Sequence, residues 1–317
     1  MESTDLILAF DAARLTDQAR DYARASRADN TLRAYRFDWA HFVRWCNGRG
    51  RAVLPALPET VALYVTDLAA THKPSTLTRR LAAISVAHRA AGYDTPTASA
   101  SVRAVMQGIR RVRGTAPAQQ AAAVTADIRA MIGKLRLDTL GGLRDRALLL
   151  VGFAGGLRRS EIATLDVGDA DFVHDGLTIT IRRSKSDQDG FGERVGLPYG
   201  SDSATCPVRA LRAWLDASGV TDGPLLRAVD RHGRLGAGRM SGQAVAEVVQ
   251  RAAARVGLDP TRYGGHSLRA GMATAAAQAG ASEAAIQRQG RWRSLVVRRY
   301  VRHGSIYIDN AAAKLGL

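Results

Sequence analysis

The stretch from the glycines before His266 to Tyr300 gathers residues that could act on a phosphate. It reads GGHSLRAGMATAAAQAGASEAAIQRQGRWRSLVVRRY. His266 and Arg269 are three apart in an alanine-rich, helix-favouring run, which puts both on one helical face. Trp292 follows, then a tyrosine among arginines. A guanidinium clamp, an imidazole that moves a proton and a hydroxyl nucleophile together suit phosphoryl transfer. Alone, His-x-x-Arg is a weak signal that reads first as an ordinary helix-surface pair, and its weight comes from what lies upstream.

Upstream, Leu143–Ala154 (LRDRALLLVGFA) is apolar enough for a buried helix and ends at Gly155-Gly156. Arg158 comes directly after this turn, well placed for the floor of a cleft. A plainer reading pairs Arg158 with Glu161 on the next helix. The two are compatible, because Glu161 can orient the guanidinium. Gly176–Arg182 alternates as a strand and Gly192–Leu197 reads as its return partner. Lys185 then falls at or near the hairpin tip, where it has a chemical task only if the hairpin leans over a substrate.

These residues need elements to hold them. After a loosely held arm over 1–27, a helix begins at Asp29-Asn30, either of which can cap it, and ends at Asn47-Gly48. Its apolar face is Leu32, Tyr35, Trp39, Phe42, Val43 and Cys46. Pro58-Glu59 starts a second helix, with Val61, Leu63, Tyr64 and Leu68 inside, and Pro74-Ser75 starts a third. Leu77, Leu81, Ile84 and His88 form the third helix's buried stripe, with His88 a structural histidine. Lys73, Arg79 and Arg80 lie off that stripe as phosphate contacts. A fourth helix, about Ser99–Val112, ends in a basic cluster containing Arg110 and Arg111. Residues 113–124 (RGTAPAQQAAAV) are small, polar and proline-containing and read as a linker between domains 1–112 and 125–317. In the second domain, helices are predicted around Thr125–Leu135, from Cys206-Pro207 to Ala217, and from a Ser241 cap to Val256. The glycine-rich 219–240 reads as a loop or short hairpin. The tail 304–317 is short and amphipathic.

The chain has 317 residues, 46% hydrophobic and 23% charged, which fits a soluble globular protein of one to three domains. Its formal net charge is +16, carried mostly by arginine, and both halves are basic. A polyanion, most simply nucleic acid, is the expected partner. Two cysteines, Cys46 and Cys206, exclude a disulfide framework or a cysteine-rich zinc site and fit a reducing cytoplasm. No apolar run reaches the length of a membrane span, and the acidic N-terminus does not resemble a signal peptide.

In their order, Gly156-Leu157-Arg158-Arg159-Ser160-Glu161, a hairpin lysine, His266-x-x-Arg269 and the tyrosine of RRYVR resemble the tyrosine recombinase, or phage integrase, family. The resemblance spans nearly the whole chain. It implies a mainly α fold: a helical, SAM-like core-binding domain over 1–112, and a mainly helical catalytic domain with a small antiparallel sheet over 125–317. The two would form a C-shaped clamp around DNA. Arg158 and Arg269 would hold the scissile phosphate, Lys185 would protonate the departing 5′-oxygen, and His266 would bind phosphate and assist proton transfer. Glu161 would support the site, and Tyr300 would attack to give a 3′-phosphotyrosyl link. Because that link keeps the phosphodiester energy, no ATP, metal or other cofactor is implied. The implied partners are a double-stranded recombination site and a homotetramer on two such sites, with 304–317 docking on a neighbour. No membrane or small-molecule substrate is implied, and the location would be cytoplasmic, at the nucleoid.

The chain departs from the family pattern in two places. Gly290-Arg291-Trp292 stands where a histidine is usual, and a tryptophan there is similar to one known member of the family. Tyr300 is eight residues after Trp292 and nine after Arg291, where nine is usual, so either residue fits the second-histidine position. Tyr307 is the weaker candidate nucleophile. Two rival functions are a type IB topoisomerase, which would act alone, and a DNA-binding protein without catalysis.

Overall fold

The computed structural model describes residues 29–115, 120–184, 187, 190–293, 297–298, 300 and 315. The expected arm, the side chains of Asp29 and Asn30, Lys185, Tyr307 and the tail 304–317 as an element lie outside them. The chain folds as two units, 1–118 and 119–317. It is mainly helical with a small antiparallel sheet.

The first unit contains α1 (Asp29–Asn47), α2 (Pro58–Ala69), α3 (Pro74–Ala90) and α4 (Ala100–Arg113). Pro58 and Pro74 each open a helix where a missing N–H costs nothing. Ser99 caps α4 by accepting from Val102 N at 3.3 Å. The core is built on Phe42, Cys46, Val61, Tyr64, Val65, Leu77 and Ile84. Leu63 points outward, because the helical repeat from Val61 returns to the core at Tyr64, Val65 and Leu68. His88 is buried and structural: Nδ1 donates to the Ile84 carbonyl at 2.9 Å, and Nε2 accepts from Ala56 N at 2.9 Å.

Arg80 does not lie off the buried stripe, and this corrects its reading as a phosphate contact. It is buried, donates to Tyr64 Oη at 2.7 Å and sits 3.8 Å from Asp38. A guanidinium can leave water only where acceptors replace its hydration; Tyr64 and His72 do so here, and the Asp38 carboxylate balances the charge, while Nε finds no hydrogen bond among the described residues. Arg79 is exposed but forks onto Asp38 at 2.7 and 3.0 Å. Lys73, Arg110 and Arg111 are exposed.

The second unit is organised around α6 (Leu140–Ala154), three residues longer at its start than expected because Thr139 Oγ1 caps it at Gly142 N. Around it stand α5 (Thr125–Gly133), α7 (Arg159–Thr164), α8 (Pro207–Ser218), α9 (Gly242–Arg255), α10 (Gly265–Gln278) and α11 (Glu283–Gly290). The sheet is β1 (Ala170–Val173), β2 (Gly176–Ile181) and β3 (Glu193–Pro198), in that spatial order and antiparallel. The β2–β3 register runs from Gly176 opposite Pro198 to Ile181 opposite Glu193. Leu177, Ile179, Ile181, Val195 and Leu197 face the core. The glycine-rich segment forms a second hairpin, β4 (Arg227–Val229) and β5 (Leu235–Arg239).

The expected linker divides. Arg113 is the last residue of α4, whereas 120–124 belongs to the second unit. Ala121 N donates to Arg262 O at 2.7 Å and Ala123 N to Ser267 O at 3.0 Å, and Ala123 is fully buried. Glycine is required at 271 because α10 passes so close to this path that a Cβ there would stand 1.9 Å from the Ala123 carbonyl oxygen. Among the described residues no helix is long and apolar enough to cross a membrane.

Candidate active site

The buried α6 ends at the turn Gly155-Gly156, which delivers Arg158 as the N-cap of the short α7. Glu161, one turn into α7, is buried and takes hold of Arg158 twice. Oε2 accepts the Arg158 backbone N–H at 2.9 Å, and Oε1 accepts from Nη1 at 2.5 Å. The pairing of Arg158 with Glu161 and the placement of Arg158 at the site therefore coexist.

His266 and Arg269 stand one turn apart on α10. Arg269 is 1% exposed and donates through Nη1 to the Gly156 carbonyl at 2.6 Å. Its guanidinium carbon lies 4.1 Å from the centre of the Trp292 ring, a cation–π contact. Its Nη2 is buried and has no hydrogen-bond partner among the described residues. A buried unpaired donor is costly, and an arriving anion would relieve that cost. Burial, then the positive charges of Arg158 and Arg291, push its pKa down to about 9, so it still carries its charge at neutral pH.

His266 Nε2 lies 2.7 Å from Tyr300 Oη, and the two rings meet at 60°. The Trp292 and Tyr300 rings are 5.8 Å apart. The backbone N–H of His266 donates to Gln120 Oε1 at 3.3 Å, which ties the entry segment to the site. Loss of hydration where the ring packs lowers the His266 pKa below the usual imidazole value, and Arg269 and Arg158 lower it further. The segment carrying Tyr300 is held by buried Val297, which packs with Ala273, Ala277 and Ile286, and by Arg298, which donates to Glu283 at 3.0 Å.

Arg291 and Trp292 diverge. Arg291 adopts a left-handed conformation (φ 55°) as α11 ends, and its side chain turns inward to Glu161 Oε2, at 2.6 Å. Trp292 turns the other way, onto Arg269 and Tyr300. Its ring folds over Gly290 so closely that a Cβ there would meet it at 1.7 Å. Thus Arg158, Glu161, His266, Arg269, Trp292 and Tyr300 come together within the second unit. Arg291's link to Glu161 joins residues 130 apart in sequence. A charged residue beside a glycine in an arginine-rich run was the only local hint of it. Lys185 lies outside the described residues, while its hairpin forms as expected. Among the described residues no group of three or more His, Cys, Asp or Glu is arranged to hold a metal ion.

The model of the phage integrase family matches residues 126–305. An integrase/recombinase XerD homolog of Selenomonas ruminantium is 39% identical over 306 residues, covering 95% of this chain and 90% of the relative. The Cre recombinase of Escherichia phage P1 is 27% identical over 309 residues, covering 91% and 88%. Among solved structures, a lambda integrase dimer bound to a COC′ core site has a TM-score of 0.59 at 15% identity, covering 96% of this chain and 81% of that one. A XerH site-specific recombinase bound to a palindromic difH substrate has a TM-score of 0.55 at 19% identity, covering 81% and 70%. At those identities the two structures speak for the fold, while the family match and the XerD homolog speak for descent. The chain belongs to the phage integrase family, the tyrosine recombinases.

Proposed function

We propose that this recombinase breaks and rejoins double-stranded DNA at a specific site through a 3′-phosphotyrosyl link to Tyr300. The observation that carries this is the 2.7 Å contact of Tyr300 Oη with His266 Nε2, beside Arg269 with its unpaired buried Nη2. Arg158 and Arg269 hold the nonbridging oxygens of the scissile phosphate, where charge grows as the tyrosine attacks. The Tyr300 oxygen bonds to phosphorus as the bond to the 5′-oxygen breaks. His266 accepts the phenolic proton, and Lys185 gives a proton to the leaving oxygen. The number of phosphate ester bonds is unchanged, so rejoining is the same step reversed by a 5′-hydroxyl and needs no external energy source. Exposed Lys73, Arg110 and Arg111, with Arg79 in its ion pair, add phosphate contacts from the first domain. A lambda integrase tetramer bound to a Holliday junction has the same fold (TM-score 0.57 at 14% identity). That likeness supports a tetramer as the working assembly; our reading further has it join two DNA sites at the nucleoid, with 304–317 as the docking segment. Trapping a covalent adduct on a nicked duplex, chosen from the sequences the protein selects out of a random pool, tests the reading. Specific binding with no adduct would favour a DNA-binding protein without catalysis, and relaxation by single subunits would favour a topoisomerase.

Trp292 takes the second-histidine position and donates its indole N–H to a nonbridging oxygen. Its ring already lies against Arg269 and Tyr300, whereas Arg291 is spent on Glu161. Trp292→Phe keeps the ring and loses the donor, so single-turnover cleavage should fall about 10²–10³-fold with little change in binding. Trp292→His should retain appreciable activity. Full cleavage by the Phe variant would show the donor to be dispensable.

The pH profile has a definite sign. Because the His266 pKa is lowered, its imidazole is neutral at pH 7 and Nε2 is free to accept a proton. The kcat/KM for cleavage should therefore rise with pH through a midpoint below 6.5 and then level off. His266→Gln should remove that acid limb. A midpoint above 6.5, or a limb that survives in the Gln variant, would assign it to another group.

A further inference from the structure

Glu161 has two oxygens and two guanidinium partners. Oε1 receives Arg158 Nη1 at 2.5 Å, and Oε2 receives Arg291 Nη2 at 2.6 Å together with the Arg158 backbone N–H. The Glu161 and Arg291 side chains are 2% and 3% exposed, whereas Arg158 is 22% exposed at the site's edge. Arg291 gives its Nη2 to the carboxylate, and its charge acts through that carboxylate. A second acid, Glu193, has its Oε2 3.6 Å from Arg291 Nε, but neither atom has a hydrogen bond among the described residues. Nη1 also donates to the Gly155 and Gln289 carbonyls, at 3.3 and 3.4 Å, but the short contact is the charge-paired one to Glu161, which Arg291 therefore braces from the side opposite Arg158.

The backbone supports the same assignment. Arg291 is the only described non-glycine residue with a positive φ. That conformation lets consecutive side chains, Arg291 and Trp292, leave α11 in opposite directions. We infer that Arg291 is a positioning residue for the strand-cleavage reaction. It fixes the Glu161 carboxylate so that Arg158 meets the scissile phosphate in one orientation. Without it, Glu161 keeps one guanidinium only, and Oε2, left with the Arg158 backbone N–H alone, competes for the Arg158 guanidinium and draws it inward, away from the phosphate. Partners one shell removed from a reacting group typically change activity about 10–100-fold.

This inference rests on the proposed strand cleavage, so the experiment includes arms for both. On the nicked duplex selected by the wild-type protein, wild type must form the adduct and Arg158→Ala must lose it. If either fails, the proposed function fails. With both satisfied, Arg291→Met should cleave about 10–100-fold more slowly in single turnover while binding its site normally. The deficit should shrink on a duplex whose scissile phosphate is a methylphosphonate. That phosphate is neutral and depends less on where Arg158 stands. A purely structural defect would be equal on both duplexes, and that result, or unimpaired cleavage by Arg291→Met, overturns the inference. Should Arg291→Met not fold, Glu161→Gln and Glu161→Gln/Arg291→Met are compared, since the double variant buries no lone charge. Equal cleavage by these two means Arg291 acts only through Glu161; a further loss in the double variant overturns the inference.

Discussion

Tyr300→Phe is expected to bind its recombination site as wild type does and to form no covalent adduct. The ring remains against Trp292, 5.8 Å away, and only the hydroxyl with its 2.7 Å contact to His266 is lost. One hydrogen bond at a half-exposed position is worth about 1 kcal/mol of stability, so folding survives. Chemistry does not: losing a nucleophile costs about 10⁶ in rate where it has been measured. Denaturing electrophoresis of the protein on a labelled nicked duplex reads the adduct, and a mobility shift reads binding. An adduct that persists in the Phe variant and disappears with Tyr307→Phe would move the nucleophile to Tyr307.

Arg269→Lys should cost about 10²–10³ in cleavage rate with site binding nearly intact. The guanidinium does three things at once. Nη1 holds the Gly156 carbonyl at 2.6 Å, its plane lies against Trp292, and Nη2 remains for the phosphate. An ammonium group has a single nitrogen and no plane, so it can serve the carbonyl or the phosphate but not both. Binding is spared because it is spread over many phosphate contacts. Single-turnover cleavage, with the salt dependence of binding measured alongside, separates the two. Full cleavage by the Lys variant would show that Arg269 only braces the Gly156 turn.

The helices were legible wherever a local signal marks an end. Pro58, Pro74, Ser99 and Ser241 each open the helix they were expected to open. The β2–β3 hairpin was legible because one face of each strand is buried, which writes an alternating pattern. β1 was not, because four residues (ADFV) are too few to show a period. What escaped the sequence depends on distant partners. Arg80 looks like any surface arginine until Tyr64, His72 and Asp38 surround it. The second half of the linker looks unstructured until α10 packs against it. At the site, the order of Arg158, His266, Arg269 and Tyr300 pointed to the chemistry. The inward turn of Arg291 depends on a left-handed residue and a carboxylate supplied from α7.

The shared carboxylate of Glu161 also limits how this chain can drift. Replacing Glu161 alone strands the buried charge of Arg291, and breaking a buried pair costs about 3–5 kcal/mol, a large part of a domain's whole stability. Viable lineages must therefore change Glu161 and Arg291 in concert, by paired replacement with apolar or neutral residues of similar volume. Residue 290 can enlarge only after the indole at 292 has gone. Among descendants of this chain, positions 161 and 291 should thus vary together, and 290 with 292, while exposed arginines such as Arg111 come and go independently.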